Sequence, residues 1–203
     1  RGLSRETRER MGLRAADLAE VRPPQVHPPV SSPVLELRDV TLRYKKRTVL
    51  HRISLAAAKG EVIGVVGHNG AGKTTFSRAL CGLHKDCEGQ FLWDGQAMER
   101  KNRLKRSYMV MQDVNYQIFT ESVWSEISIV SQDDAKKERV LKELMLYDKK
   151  DSHPQSLSGG EKQRLMIALA IVSLKPIVIL DEPTSGLCKG QMASTVKYLQ
   201  KMK

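Results

Sequence analysis

Apolar and polar positions alternate through Val34-Leu35-Glu36-Leu37-Arg38-Asp39-Val40, the pattern of a strand with one buried face. Leu42-Arg43-Tyr44 continues extended, and Ile53-Ser54-Leu55 reads as its partner. Glu61-Val62-Ile63-Gly64-Val65-Val66 is mostly apolar without alternation, which predicts a central parallel strand buried on both faces. Phe91-Leu92-Trp93 followed by Asp94-Gly95 predicts a strand ending in a tight turn. Val123 and Ile127, then Val140, Leu141, Leu144 and Met145, recur at helical spacing, so residues 121 to 147 read as helical with one break. A further helical stretch, Leu165 to Leu174, is apolar except for Ser173. Ile177-Val178-Ile179-Leu180 predicts a second buried strand, and it ends in two acids. No internal repeat is present.

The amino-terminal part differs. Residues 1 to 22 are charged and mixed, with a helical hint from Leu13, Ala16 and Leu18. Five of the chain's eight prolines then fall between Pro23 and Pro33. Proline fixes φ and removes a donor, so residues 1–33 are expected to be a tail or an extended linker from an upstream domain. The folded domain is expected from 34 to 203.

Composition narrows the partners. The chain has 203 residues, 40% of them hydrophobic and 28% charged, which is enough to build a core. Its longest apolar stretch is well short of the roughly 20 residues a spanning helix needs. Three cysteines at irregular spacing do not make a disulfide framework, and a reducing compartment is the simpler reading. The net charge of +11 fits nucleic acid, acidic lipid headgroups or nucleotide phosphates. No basic run is interleaved with aromatics, so nucleic acid is not expected from charge alone.

The chemistry lies in three motifs. Gly67-His68-Asn69-Gly70-Ala71-Gly72-Lys73-Thr74 fits G-x-x-x-x-G-K-[ST] and follows a predicted strand. Such a loop turns backbone N–H groups inward at phosphate oxygens, and the helix starting near Lys73 adds its positive end. Lys73 can then reach the β- and γ-phosphates, and the Thr74 hydroxyl can ligate Mg²⁺. Asp181 and Glu182 end a predicted strand, where a nucleotide site in an open α/β sheet would lie. Asp181 would hold Mg²⁺, and Glu182, a step further out, would polarise the attacking water. Ser158-Gly159-Gly160-Glu161 precedes the long apolar stretch and reads as a capped helix start with free N–H groups.

Leu157-Ser158-Gly159-Gly160-Glu161-Lys162-Gln163-Arg164 resembles the signature of the ATP-binding cassette (ABC) family. P-loop, signature and acidic strand come in that family's order across Val34 to Lys203. The resemblance implies an α/β P-loop NTPase with a RecA-like mixed sheet, an antiparallel β subdomain and a helical signature subdomain at about 113–165. It implies ATP and Mg²⁺ as ligands. Tyr44 would stack on adenine, and Gly67, His68, Asn69, Gly70, Ala71, Gly72, Lys73, Thr74 and Thr75 would hold the phosphates. Gln112 would contact Mg²⁺ and the water. Glu182, Lys73 and Gln112 would carry hydrolysis; Thr74, Asp181 and Gln112 would surround the metal. Ser158, Gly159 and Gly160 would meet the γ-phosphate of a second, head-to-tail cassette. An integral membrane transport subunit would be the other partner, at the cytoplasmic face of the membrane.

Gln112-Asp113-Val114-Asn115-Tyr116-Gln117-Ile118-Phe119 resembles the Q-x-x-x-x-Q-[IL]-F segment of energy-coupling-factor ATPases, which implies an importer for a vitamin or metal ion. A basic, proline-rich lead-in resembles the start of a second cassette on a tandem chain. Two departures from the family stand out. Cys188 replaces an Asp after Ser185-Gly186-Leu187, and all five histidines precede Asp181, so the chain is expected to end before the family's phosphate-contacting histidine. The alternatives are a soluble cassette ATPase acting on ribosomes or DNA, and a non-hydrolysing half of a cassette pair. The His68 ring is expected to face away from phosphate, and Cys81, Cys87 and the basic cluster Arg100 to Arg106 carry no expected role, though that cluster could face acidic lipid.

Overall fold

The computed structural model describes residues 32–183. The expectations for residues 1–31 and for Ser185 to Cys188 lie outside the described residues.

The first alternating stretch becomes β1, Leu35–Tyr44, which pairs antiparallel with β2, Arg47–Ala57. Lys45 and Lys46 turn the chain between them, both at positive φ, 48° and 65°. This left-handed pair makes the primed turn that a twisted hairpin needs, with lysines where Asn-Gly is usual. On its other edge β1 pairs with β3, Cys87–Trp93, which turns through Asp94 and Gly95 into the short β4, Gln96–Ala97. The antiparallel sheet therefore runs β2-β1-β3-β4. Leu37, Val40 and Leu42 are buried on it, and Phe76, Ala79 and Leu80 of helix α1, Lys73–Leu80, pack into the same cluster.

A second layer starts with α2, Arg100–Arg106, and β5, Ser107–Val110. A 3-10 turn at Val114–Gln117 leads to α3, Val123–Val130, and α4, Asp134–Glu143. Helix α5, Gly159–Val172, buries apolar residues all round, as a core helix must. Strand β6, Ile177–Leu180, pairs parallel with β5, with Val110 opposite Leu180. Its period of two joins the two cores. Ile177 and Ile179 face the sheet-and-α1 cluster, whereas Val178 and Leu180 face the helical cluster around α5.

One expectation fails. Glu61–Val66 is not a strand among the described residues, and Val66 is 93% exposed. A parallel strand is buried only when neighbours bond both its edges and helices cover its faces. Here the parallel sheet among the described residues contains β5 and β6 alone, and neither pairs with this segment.

Candidate nucleotide site

The loop after residue 66 turns sharply into α1. Gly72, the N-cap, has φ 94°, and Gly70 has φ 82°. A Cβ at Gly72 would lie 2.7 Å from Val49 Cγ1 and 3.2 Å from Leu50 Cγ, so both the backbone and the space require glycine. The apolar face of α1 anchors it to the sheet. No side chain caps its start and no acid lies in its first turn. Its leading N–H groups therefore remain available to an anion. Ala71 N–H instead donates to His68 O within the loop at 3.1 Å.

Lys73 folds back over this loop. Its Nζ donates to Gly67 O at 2.8 Å and to His68 O at 3.1 Å. The His68 ring contacts Asn69 O through Nδ1 at 2.8 Å.

Tyr44, Val49, Asn69, Gly70, Gly72, Lys73, Thr74, Thr75, Gln112 and Glu182 line one open cleft of about 500 Å³. That volume lies in the range of small-molecule sites. Tyr44 and Val49 give the cleft apolar surface, and Lys73, Thr74, Gln112 and Glu182 give it polar groups. Val49 carried no sequence signal, because its role comes from strand register and not from residue type.

β5 and β6 bring the last two groups together. Asp181 N–H donates to Val110 O at 2.9 Å, extending the parallel pairing one residue past β6. The chain ends after β5 and β6 thus sit side by side. Gln112 Nε2 donates to Glu182 Oε2 at 3.0 Å, across 70 positions of sequence. Glu182 itself has φ 51°, in the left-handed region, which costs a residue with a Cβ about 1–3 kcal/mol. Asp181 is only 6% exposed and is not among the residues that line the cleft. It makes no ion pair among the described residues. A buried carboxylate without a cation favours a positive ligand.

Ser158, Gly159 and Gly160 form the start of α5 and do not line this cleft. The Ser158 side chain accepts from Glu161 N–H, and Glu161 Oε2 accepts from Ser158 N–H at 2.8 Å, a complete capping box. Lys149 Nζ sits 2.6 Å from the other Glu161 oxygen. That lysine, then the Ser158 backbone and hydroxyl, pull the Glu161 carboxyl down to about 2. A Cβ at Gly159 would meet nothing within 4 Å, so the surface above it is open.

Of the remaining expectations, Cys81 is buried, and burial pushes its thiol up to about 12. Cys87 is half-buried beside the Arg103 guanidinium, at 3.7 Å from Nη2. Arg103 is itself buried and stacks over Phe91, so the basic stretch of α2 is not one uniform solvated face.

Comparison with known proteins gives a consistent result. The family model described as "ABC transporter" matches residues 50–185. A putative ABC transporter ATP-binding protein of Treponema denticola is 42% identical over 200 residues, covering 95% of this chain and 41% of that protein. This chain thus spans well under half the length of that relative. An energy-coupling factor transporter ATP-binding protein of Staphylococcus epidermidis is 30% identical over 187 residues, covering 85% of this chain and 69% of that protein. The solved structure of cbiO1 from Clostridium perfringens, part of the ABC transporter complex cbiONQ, superposes with a TM-score of 0.75 at 27% identity, covering 85% of this chain and 74% of that one.

Proposed function

The chain belongs to the ABC transporter family, and from that premise we propose that it is the ATP-binding and ATP-hydrolysing part of a membrane importer of the energy-coupling-factor type. The observation that carries this reading is the single cleft that Tyr44, Lys73, Thr74, Gln112 and Glu182 line together. Adenine stacks on Tyr44 and Val49. The triphosphate follows the loop from Asn69 to Thr75 and meets the free N–H groups of α1. Lys73 gives up its two carbonyl partners and turns to the β- and γ-phosphates.

Thr74 and Asp181 are hard oxygen donors, and the buried, unpaired Asp181 carboxylate fits a divalent cation. Mg²⁺ held there neutralises charge on the phosphate oxygens. Glu182 accepts the proton of the attacking water. Gln112, hydrogen-bonded to Glu182, orients that water. Ser158, Gly159 and Gly160 serve the ATP held by a second cassette, on the same chain or another.

The importer branch rests on Gln112 to Phe119 and on the Staphylococcus and Clostridium relatives. Tyr116 and Phe119 are 76% and 79% exposed, an apolar pair suited to an integral membrane subunit. No helix among the described residues is long and apolar enough to cross a membrane, so the chain would meet the membrane through that subunit, at the cytoplasmic face.

The test is Glu182→Gln in the full-length protein with its partner cassette. The variant should bind ATP like the parent and lose turnover by about 10²-fold or more, the scale of general-base loss. Parent-rate hydrolysis would remove Glu182 from the mechanism.

A further inference from the structure

β5 lies at the end of the parallel pair among the described residues, and its outer edge needs partners. Val110 O points inward and accepts from Asp181 N–H at 2.9 Å. Backbone groups alternate sides along a strand, so Met109 O and Met111 N–H point the opposite way. No strand lies there among the described residues. Instead, Gln117 Nε2 donates to Met109 O at 2.8 Å, and Met111 N–H donates to Gln117 Oε1 at 2.7 Å. One side-chain amide thus makes both bonds that a neighbouring strand would make. It holds the backbone at Met111, the residue immediately before Gln112.

The hold is rigid at its other end. Gln117 closes the 3-10 turn that Asp113 starts by accepting from Asn115 N–H at 3.0 Å. Val114, the first residue of the turn, and Ile118, just after it, are buried in the helical core. The buried Glu126 carboxylate then accepts from Phe119 N–H at 3.0 Å and from Thr120 N–H at 2.9 Å. Gln112 follows this frame directly, and its side chain reaches Glu182.

We propose that Gln117 is a positioning residue for hydrolysis: its amide clamps the end of β5 and so sets where Gln112 presents its own amide to Glu182 and the attacking water. Gln117 does not line the nucleotide cleft. It acts on turnover through Gln112 and leaves ATP binding alone. The inference rests on the role proposed above for Gln112 and Glu182.

The experiment uses the full-length protein with its partner cassette and compares the parent, Gln117→Leu, Gln117→Glu and Glu182→Gln. Leu matches the size of Gln and removes both bonds. Glu keeps an acceptor for Met111 N–H and loses the donor to Met109 O. ATP affinity, kcat, KM and melting temperature are measured for each. Gln117→Leu should lower kcat by about 10-fold or more with ATP affinity unchanged, because ångström-scale misplacement near the reacting atoms costs up to ~10²-fold. Gln117→Glu should fall between Leu and parent. Parent-like kcat in Gln117→Leu would overturn the proposal. So would a joint loss of ATP affinity and turnover in both Gln117 variants, since that marks a general brace for the fold. Loss of turnover in Glu182→Gln alone would leave the function standing while the Gln117 role fell. A parent that hydrolyses no ATP would overturn both.

Discussion

Gly72→Ala tests how tightly the phosphate loop is built. Two separate costs follow from the structure. Gly72 holds φ 94°, and a left-handed backbone costs a residue with a Cβ about 1–2 kcal/mol. The new Cβ would also stand 2.7 Å from Val49 Cγ1, with Leu50 Cγ and Cδ2 at 3.2 and 3.3 Å. Overpacking of that kind costs about 1–3 kcal/mol. The sum is about 2–5 kcal/mol, or a melting temperature lower by on the order of 10 °C for a domain of this size. The chain relieves part of this by opening the turn, which moves the N–H groups of α1 away from the phosphates.

Both thermal unfolding and ATP titration read this out. Gly72→Ala should melt earlier and bind ATP more weakly. A double-mutant cycle with Val49→Ala separates the two terms. Removing Val49 Cγ1 erases the closest contact and leaves the backbone strain, so the double variant should be more stable than the sum of the singles predicts. Strict additivity would show that no clash exists. A Gly72→Ala protein that melts and binds ATP like the parent would refute both the left-handed geometry and the place of Gly72 under the phosphates.

Two further outcomes follow. Lys73→Ala should weaken ATP binding about 10- to 100-fold, the value of a charge-assisted contact, with melting little changed, because its present partners are exposed carbonyls of its own loop; unchanged affinity in a titration would contradict the P-loop assignment. Glu161 should stabilise the fold above the usual carboxylate range near pH 4.3, and that stability should be lost as pH falls toward its folded value of about 2, because Lys149 and the Ser158 cap favour the ionised form. Acid titration of unfolding for parent and Glu161→Gln checks this: the parent's curve should fall more steeply over that window, and parallel curves would show that the pair contributes nothing.

Local chemistry carried most of the site. The spacing of Gly67, Gly72, Lys73 and Thr74 specifies a loop-to-helix turn, because only glycine tolerates φ 94° against Val49, and the structure builds that turn. Ser158 with Glu161 specifies a capped helix start, because both partners lie within one turn, and the capping box forms. Asp94-Gly95 specifies a tight turn for the same local reason. The alternating period of β1 and the helical periods of α3 and α4 were legible because one buried face leaves its period in the sequence.

Long-range pairing was decided only in three dimensions. Nothing local says that Gln112 lies beside Glu182 or that Val49 closes the cleft, since both follow from strand register. Gln117 sits inside a recognised motif, yet the bonds by which it stands in for a strand depend on β5 having no outer neighbour among the described residues. The Lys45-Lys46 hairpin runs against turn preference and is set by the pairing of β1 with β2. Glu61–Val66 shows the converse. Its apolar run fits a central strand, but hydrophobicity alone does not make one. A strand also needs two hydrogen-bonding neighbours, and those are a property of the tertiary structure.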